Sequence, residues 1–272
     1  MSCVHGPGGR NPPAKTAQRQ VGIPVLQGRE EVTEDSRRHV LAIGGLAGGR
    51  STAGIPALMD YAIQLTGKPA ARVCILPTAN EPDLQWVLEA HRLLAQTPVV
   101  ASHLTLFPQP NVADPTDLLL SQDLILVGGG SVANMMAVWR AHGLDSVLRT
   151  AWEQGIVLAG VSAGAICWFE GGTTDSFGPE LRPFRDGLGL LKGSYCPHYR
   201  FEPTRRPTFQ RLIAAGSLPP GLACDDGAAV HFVDDELAEV VAEEAGALGY
   251  RVSPDGRGGC LEAAVPARVL PG

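Results

Sequence analysis

Short apolar runs alternate with amphipathic segments along most of the chain. The apolar runs begin at His39, Ala71, Val99, Asp123 and Ile156, and several of them end in glycine or proline. Helical spacing of apolar residues separates them, over 55–65, 83–96, 132–142 and 144–154. Strands that are apolar throughout and alternate with helices are typical of a parallel sheet covered on both faces. The pattern therefore predicts an α/β fold, a three-layer αβα sandwich with a mostly parallel sheet.

The same pattern sets the expected domain boundaries. Residues 1–37 are rich in Gly, Pro, Arg, Gln and Glu without periodicity, which predicts a disordered N-terminal extension. Residues 38–253 contain no linker and predict one domain, with a Gly-, Thr- and Pro-rich loop over 170–193 and strand-like segments near its end. The Gly-, Pro- and Ala-rich residues 254–272 predict a flexible C-terminal tail.

Composition narrows the classes of function. The 272 residues are 44% hydrophobic and carry a net charge of −6, which fits a globular domain with a full core and argues against nucleic-acid binding. No apolar run is long enough for a membrane span, and the first 28 residues lack the apolar stretch of a signal peptide. The six cysteines form no C-x-x-C pair. We therefore expect reduced thiols, a cytoplasmic location, and neither metal nor cofactor.

The motif Gly160-Val161-Ser162-Ala163-Gly164 follows one of the apolar runs and leads into residues that suit a helix. A strand, a sharp turn and a helix start of this kind expose the serine hydroxyl. The helix N-terminus supplies N–H groups for a developing oxyanion. We interpret Ser162 as a nucleophile, with an ordinary turn serine as the alternative.

A nucleophilic serine needs a base, and a base needs an acid to orient it. His198 lies 36 residues after Ser162, at the end of a short apolar segment, and is the best placed of the histidines. A buried histidine of the core is the alternative interpretation. Three carboxylates between the two residues qualify as the acid: Glu170, Asp175 and Glu180. Spacing alone does not choose among them, and Asp186 is a weaker fourth.

Gly128-Gly129-Gly130 follows a predicted strand and lets backbone N–H groups approach a ligand closely. The N–H of Gly129 or Gly130, paired with that of Ala163, would form a two-donor oxyanion hole. A phosphate-binding loop is disfavoured, because the next residues include no Lys-Ser/Thr pair and no dinucleotide fingerprint.

Taken together, these motifs resemble peptidase E, a family of serine peptidases. The resemblance covers about residues 39–252 and includes Ala42–Gly45, the triple glycine, Gly160–Ala165, Thr174–Ser176 and Cys196–Tyr199. It implies a fold like that of the class I glutamine amidotransferases, with serine in place of their cysteine. It also implies cleavage of dipeptides or short peptides after an N-terminal Asp.

The resemblance also implies residue roles. Ser162 becomes the nucleophile and His198 the base. Asp175 is the closest match to the family's acid, while the related cyanophycinases would favour Glu180. Arg205 or Arg206 would bind the Asp side chain of the substrate, since a guanidinium pairs well with a carboxylate.

Other functions stay open at this point. An α/β-hydrolase esterase shares the order Ser–acid–His, although its acid and histidine usually lie far beyond the nucleophile. A cyanophycinase-like hydrolase and a catalytically silent binding protein of the same fold are further alternatives. We expect a small peptide as the partner of the site, and a homodimer stays open.

Overall fold

The computed structural model describes residues 37–272, and two sheets organise them. The strands of the larger sheet are β1 (His39–Ile43), β2 (Arg72–Leu76), β3 (Val100–His103), β4 (Leu124–Val127), β5 (Val157–Val161), β10 (Ala228–Val233), β11 (Glu236–Ala242) and β14 (Arg268–Val269). Those of the smaller sheet are β6 (Phe169–Thr174), β7 (Arg182–Phe184), β8 (Leu191–Cys196), β9 (Gly221–Cys224), β12 (Gly249–Pro254) and β13 (Cys260–Val265). The helices are α1 (Ala57–Gln64), α2 (Gln85–Leu94), α3 (Pro115–Leu120), α4 (Val132–Ala141), α5 (Leu144–Glu153), α6 (Ala163–Ile166) and α7 (Arg205–Ala214).

The larger sheet has the strand order β14-β11-β10-β1-β5-β4-β2-β3. Its five neighbouring strands from β1 to β3 all run parallel, while β10 and β11 add antiparallel pairs beside β1. Successive side chains of β1 enter two different cores: Val40 and Ala42 face one, Leu41 and Ile43 the other. Helices α3, α4 and α5 cover the first core, and α1 and α2 cover the second. The prediction of a layered α/β fold with a mostly parallel sheet is confirmed.

The smaller sheet, with the order β13-β12-β9-β8-β6-β7, was not predicted as a sheet, although the strand-like segment predicted over 248–252 coincides with β12. The predicted loop over 170–193 is wrong, because this stretch holds most of β6, all of β7 and the start of β8. Its glycines are strand residues at close backbone contacts. A Cβ on Gly171 would overlap the Phe184 carbonyl oxygen, and one on Gly172 the Tyr195 carbonyl oxygen.

The C-terminal residues also differ from the expectation. Instead of a flexible tail, residues 254–272 contribute β13, which pairs with β12, and β14, which pairs with β11. The Leu270 side chain is buried. Backbone pairing and this apolar contact hold a stretch whose composition suggested a loop. The predicted extension lies outside the described residues, apart from Arg37.

Several chain segments relevant to the site meet at one edge of the larger sheet. Parallel strands β1, β4 and β5 end there, and the loops that follow them begin at Gly44, Gly128 and Ser162. A bridge between Gly45 and Asp226 brings the end of β9 to the same place. Over residues 37–272, no helix has the length and apolar character needed to cross a membrane.

Candidate active site

Ser162 occupies the turn between β5 and α6, as its motif predicts. Its backbone has φ of 54°, a left-handed conformation that non-glycine residues seldom adopt and that is typical of a nucleophile elbow. The flanking glycines permit the close approach of strand and helix. A Cβ on Gly160 would overlap the Gly164 carbonyl oxygen, and one on Gly164 would lie 2.6 Å from the Val127 carbonyl oxygen.

His198 follows β8 and reaches the nucleophile. Its Nε2 lies 2.9 Å from Ser162 Oγ, which is a hydrogen-bond distance. His198 also has a left-handed backbone, with φ of 55°, so the loop presents the ring at the expense of a strained conformation. The sequence prediction brought these two residues together, and the structure places them in contact.

The acid beside His198 is Asp226, which the sequence reasoning did not consider. Asp226 Oδ1 lies 2.6 Å from His198 Nδ1, and both side chains are largely buried, at 17% and 20% exposure. The cause is strand pairing: β8 and β9 are parallel neighbours, so their carboxyl ends meet at one edge of the sheet. His198 stands two residues beyond β8, and Asp226 two residues beyond β9.

None of the acids predicted from the sequence contacts His198. Strand β6 lies beside β8 on the side away from β9, and the loop that joins it to the edge strand β7 carries Asp175 and Glu180, whose side chains are exposed to solvent. Glu170 instead accepts a hydrogen bond from the Gly193 N–H, at 2.8 Å. Asp186 pairs with Arg140. The expectation that one of these residues orients the base is therefore wrong in this structure.

A sequence signal for Asp226 did exist. The run Gly221-Leu222-Ala223-Cys224 is apolar and ends in two aspartates and a glycine. An apolar run followed by polar residues at a turn is the same layout that pointed to His198. Asp226 lies beyond the histidine, outside the interval from Ser162 to His198 in which the acid was predicted.

The glycine turn after β4 lies against the nucleophile. A Cβ on Gly129 would stand 3.3 Å from Ser162 Cβ and 3.9 Å from Oγ. Within residues 37–272, the N–H groups of Gly129 and Ala163 donate to no protein acceptor, so both are free for a ligand. Gly130 faces the turn Thr78–Asn80, where its Cβ would overlap the Ala79 carbonyl oxygen, and its place in the hole stays a prediction.

A second glycine-rich loop, residues 44–49, covers the contact between base and acid. A Cβ on Gly45 would overlap Asp226 Oδ1 and stand 2.8 Å from His198 Cε1. The buried Glu243 binds the backbone of this loop. Its Oε2 accepts hydrogen bonds from the N–H groups of Ala47, at 3.0 Å, and Gly49, at 3.3 Å. Burial raises the pKa of Glu243, an effect that these N–H groups partly offset.

The two arginines predicted to bind substrate are engaged with other side chains. Arg205 is buried; its Nε donates to Glu202 Oε2 at 2.7 Å and its Nη1 to the Thr173 carbonyl at 3.3 Å. Arg206 is exposed and pairs with Glu262 through two hydrogen bonds, at 3.0 and 2.5 Å. Neither guanidinium contacts the serine, the histidine or Asp226.

Two cysteines lie next to the site. Cys196 and Cys224 end the strands that precede His198 and Asp226, and burial raises the pKa of both thiols to about 12, which leaves them protonated and unreactive. Residues 37–272 contain no group of three His, Cys, Asp or Glu side chains arranged for a metal ion.

Comparisons with known proteins point to one family. Residues 42–240 match the family model of peptidase family S51. The chain is 42% identical over 216 residues to the uncharacterized peptidase YgaJ of Bacillus subtilis (strain 168), covering 79% of this chain and 92% of that protein.

Two solved structures share the fold. A peptidase from an acI-B1 Actinobacterium is similar with a TM-score of 0.62 and 15% identity, over 86% of this chain and 96% of that one. A protein from Listeria monocytogenes EGD-e, assigned as a peptidase E, is similar with a TM-score of 0.55 and 17% identity, over 76% of this chain and 98% of that one.

Proposed function

The chain belongs to peptidase family S51 and is a peptidase of the peptidase E type, and we propose that it hydrolyses short peptides through an acyl-enzyme on Ser162. One observation carries the proposal: Ser162 Oγ, the His198 ring and the Asp226 carboxylate form a continuous chain of contacts, at 2.9 and 2.6 Å. Nucleophile, base and orienting acid are the three groups that serine acyl transfer requires.

In the acylation step, Ser162 Oγ attacks the carbonyl carbon of the scissile peptide bond while His198 Nε2 accepts the hydroxyl proton. Asp226 accepts a hydrogen bond from His198 Nδ1–H, which keeps Nε2 free as the proton acceptor, and its negative charge stabilises the imidazolium that forms. The carbonyl oxygen becomes an oxyanion, for which the free N–H groups of Gly129 and Ala163 are the proposed donors.

The tetrahedral intermediate then collapses, and the C–N bond breaks. His198 returns its proton to the leaving amine, which departs with the C-terminal part of the peptide. In deacylation a water molecule takes the place of the amine: His198 accepts its proton as the oxygen attacks the ester carbon. The C–Oγ bond then breaks, His198 returns the proton to Ser162 Oγ, and the N-terminal product leaves as a carboxylate.

Specificity for an N-terminal Asp, and with it a dipeptidase or exopeptidase mode, is the finer part of the proposal. The family resemblance and the position of Arg205 near the end of β6 support it. The ion pair with Glu202 bears on it directly, because a substrate carboxylate must compete with that side chain for the guanidinium. Glu202 is 41% exposed, so it has room to turn towards solvent.

Covalent labelling tests the proposed mechanism. A fluorophosphonate probe should label the wild type at Ser162 and leave Ser162→Ala unlabelled, and hydrolysis of a short peptide should fall by about 10³-fold or more in that variant. A comparison of peptides with p-nitrophenyl esters then separates a peptidase from an esterase. Near-wild-type hydrolysis by Ser162→Ala would contradict the mechanism.

A pair of nearly isosteric dipeptides tests the specificity. Asp-Leu should be cleaved faster than Asn-Leu by the wild type, and Arg205→Ala should lose that difference while its labelling at Ser162 persists. Arg211→Ala serves as the control, because Arg211 is an exposed arginine of the same helix. Equal wild-type rates on both dipeptides would remove aspartate specificity and leave the hydrolase intact.

A further inference from the structure

A second ion pair joins the loop of the base to the loop of the acid. Arg200 lies two residues after His198, and Asp225 lies immediately before Asp226. Arg200 Nε approaches the two carboxylate oxygens of Asp225 at 3.0 and 2.9 Å, and its Nη2 donates to Asp225 Oδ2 at 2.6 Å. A guanidinium fork on a carboxylate fixes orientation as well as distance.

The contacts between the two loops occur in consecutive residues. His198 contacts Asp226 through its ring, Tyr199 donates its backbone N–H to the Cys224 carbonyl at 3.0 Å, and Arg200 contacts Asp225. Three successive residues of one loop therefore meet three successive residues of the other. The ion pair between Arg200 and Asp225 therefore joins the two loops and is separate from the contacts among Ser162, His198 and Asp226.

Asp225 is fixed from more than one side. Its carboxylate is 7% exposed and also accepts the Leu248 N–H at 2.9 Å and the Tyr250 hydroxyl at 3.3 Å. Arg200 Nη2 reaches on to the Gly246 carbonyl at 2.6 Å. The hydrogen bonds to Asp225 raise the pKa of Arg200. The pair thus anchors the flexible partner, Arg200, to a carboxylate that the fold already holds in place.

An anchor at this position would oppose a displacement of the His198 ring. His198 is held in a left-handed backbone conformation, which a loop would leave if nothing opposed the change. A displacement of the ring by about 1 Å is enough to cost a serine hydrolase about 100-fold in rate.

We propose that Arg200 and Asp225 form a positioning pair that keeps His198 and Asp226 in the geometry needed for proton transfer. Neither residue touches Ser162. The inference rests on the proposed function, because it concerns the base and acid of that reaction.

The alternative role for Arg200 is direct binding of a substrate carboxylate. Arg200 lines a cavity of about 740 Å³ together with Leu46, Phe201 and Asp226, and its side chain is 45% exposed. Its Nε and Nη2 are committed to Asp225 and Gly246, which favours the positioning role. The two roles differ in kinetics: loss of positioning lowers kcat, whereas loss of a substrate ligand raises KM.

The test compares Arg200→Ala, Arg200→Lys and Asp225→Asn with the wild type in steady-state hydrolysis of a short peptide and in the rate of fluorophosphonate labelling. The positioning role predicts a fall in kcat of about 10- to 100-fold at nearly constant KM, with a parallel fall in labelling rate. The low-field proton resonance of His198 Nδ1–H should broaden or disappear. Arg200→Lys should not restore the rate, because an ammonium cannot reproduce the fork; added guanidinium should partly restore Arg200→Ala.

Arg268→Ala is the matched control. Arg268 makes a two-bond pair with Glu239 at 2.8 and 2.9 Å, is 51% exposed, and lies on β14 at the edge of the larger sheet. It should lose stability without losing kcat. If Arg200→Ala were to match this control, or if its KM alone changed, the positioning role would be overturned.

The same variants separate misfolding, failure of the proposed function and failure of the positioning role. Should Arg200→Ala fail to fold, Asp225→Asn and the charge-preserving Arg200→Lys decide the question by the same split of kcat against KM. Absence of labelling and hydrolysis in the wild type would refute the proposed function. Labelling in the wild type with equal labelling in all three variants would refute only the positioning pair.

Discussion

Replacement of Asp226 by Asn tests the acid that the structure selects. The amide has nearly the shape of the carboxylate, so the change removes charge and hydrogen-bonding direction with little loss of packing. His198 Nδ1 has Asp226 as its partner, at 2.6 Å, and Nε2 has Ser162, at 2.9 Å. An amide NH₂ turned towards Nδ1 would hold the other tautomer, in which Nε2 carries the proton and cannot accept one from the serine.

The expected loss is correspondingly large. The wrong tautomer and the missing negative charge should lower kcat by about 10³- to 10⁴-fold, which corresponds to about 4–5.5 kcal/mol in activation free energy. The KM should change little, because Asp226 lies behind the histidine and acts through it.

The assay is hydrolysis of a short peptide, normalised to the folded fraction by circular dichroism, with Asp175→Asn and Glu180→Gln beside it. Both of these side chains are exposed and neither makes a hydrogen bond to His198, so each variant should keep kcat within about twofold of the wild type. A loss below about tenfold in Asp226→Asn, or a large loss in Asp175→Asn, would refute the assignment of the acid.

Three other predictions concern the surroundings of the site and the stability of the fold. Gly45→Ala should lower kcat by about tenfold or more, because its Cβ would overlap Asp226 and press on His198; a fully active variant would contradict this. Glu243→Ala should leave the N–H groups of Ala47 and Gly49 unpaired and lower the unfolding free energy measured in urea by about 1–3 kcal/mol; an unchanged unfolding free energy would contradict this. Burial and the neighbouring His39 lower the pKa of His231 to about 4, so the unfolded chain binds the extra proton between about pH 6.5 and 4. The contribution of His231 to the unfolding free energy should therefore be fully present above pH 6.5 and fall by about 3 kcal/mol as the pH drops through that window. In urea titrations, His231→Asn should flatten the dependence of the unfolding free energy on pH, and an unchanged dependence would refute this prediction.

The parallel strands of the larger sheet, Ser162 and His198 could be predicted because each is indicated by residues that are close together in the sequence. Each parallel strand is a continuous apolar run, and each helix between them shows its own period, so β1 to β5 need no knowledge of their neighbours. Ser162 is identified by five adjacent residues that demand a strand, a turn and a helix. His198 needed only the order of the chain and the exclusion of other histidines.

The smaller sheet and the C-terminal strands escaped prediction for the opposite reason. Strand β6 carries two adjacent glycines, β7 has only three residues and includes a proline, and β13 has no buried side chain, so their residues look like those of loops. They are strands because partners supply hydrogen bonds from distant parts of the chain: β13 pairs with β12, and β14 with β11. Intrinsic strand propensity contributes little where pairing with a neighbouring strand determines the backbone conformation.

The acid that orients His198 could not be predicted from adjacent residues, because folding brings it to the histidine from a distant part of the sequence. The layered fold, the nucleophile and the base could be predicted from the amino-acid sequence, because each depends on neighbouring residues. The choice between Asp175 and Asp226 needs the folded chain, because each follows a parallel neighbour of β8, with β6 on one side and β9 on the other. The His198 ring meets the side chain beyond β9, so an aspartate 28 residues beyond His198 contacts the imidazole, while the side chains of Asp175 and Glu180 are exposed to solvent.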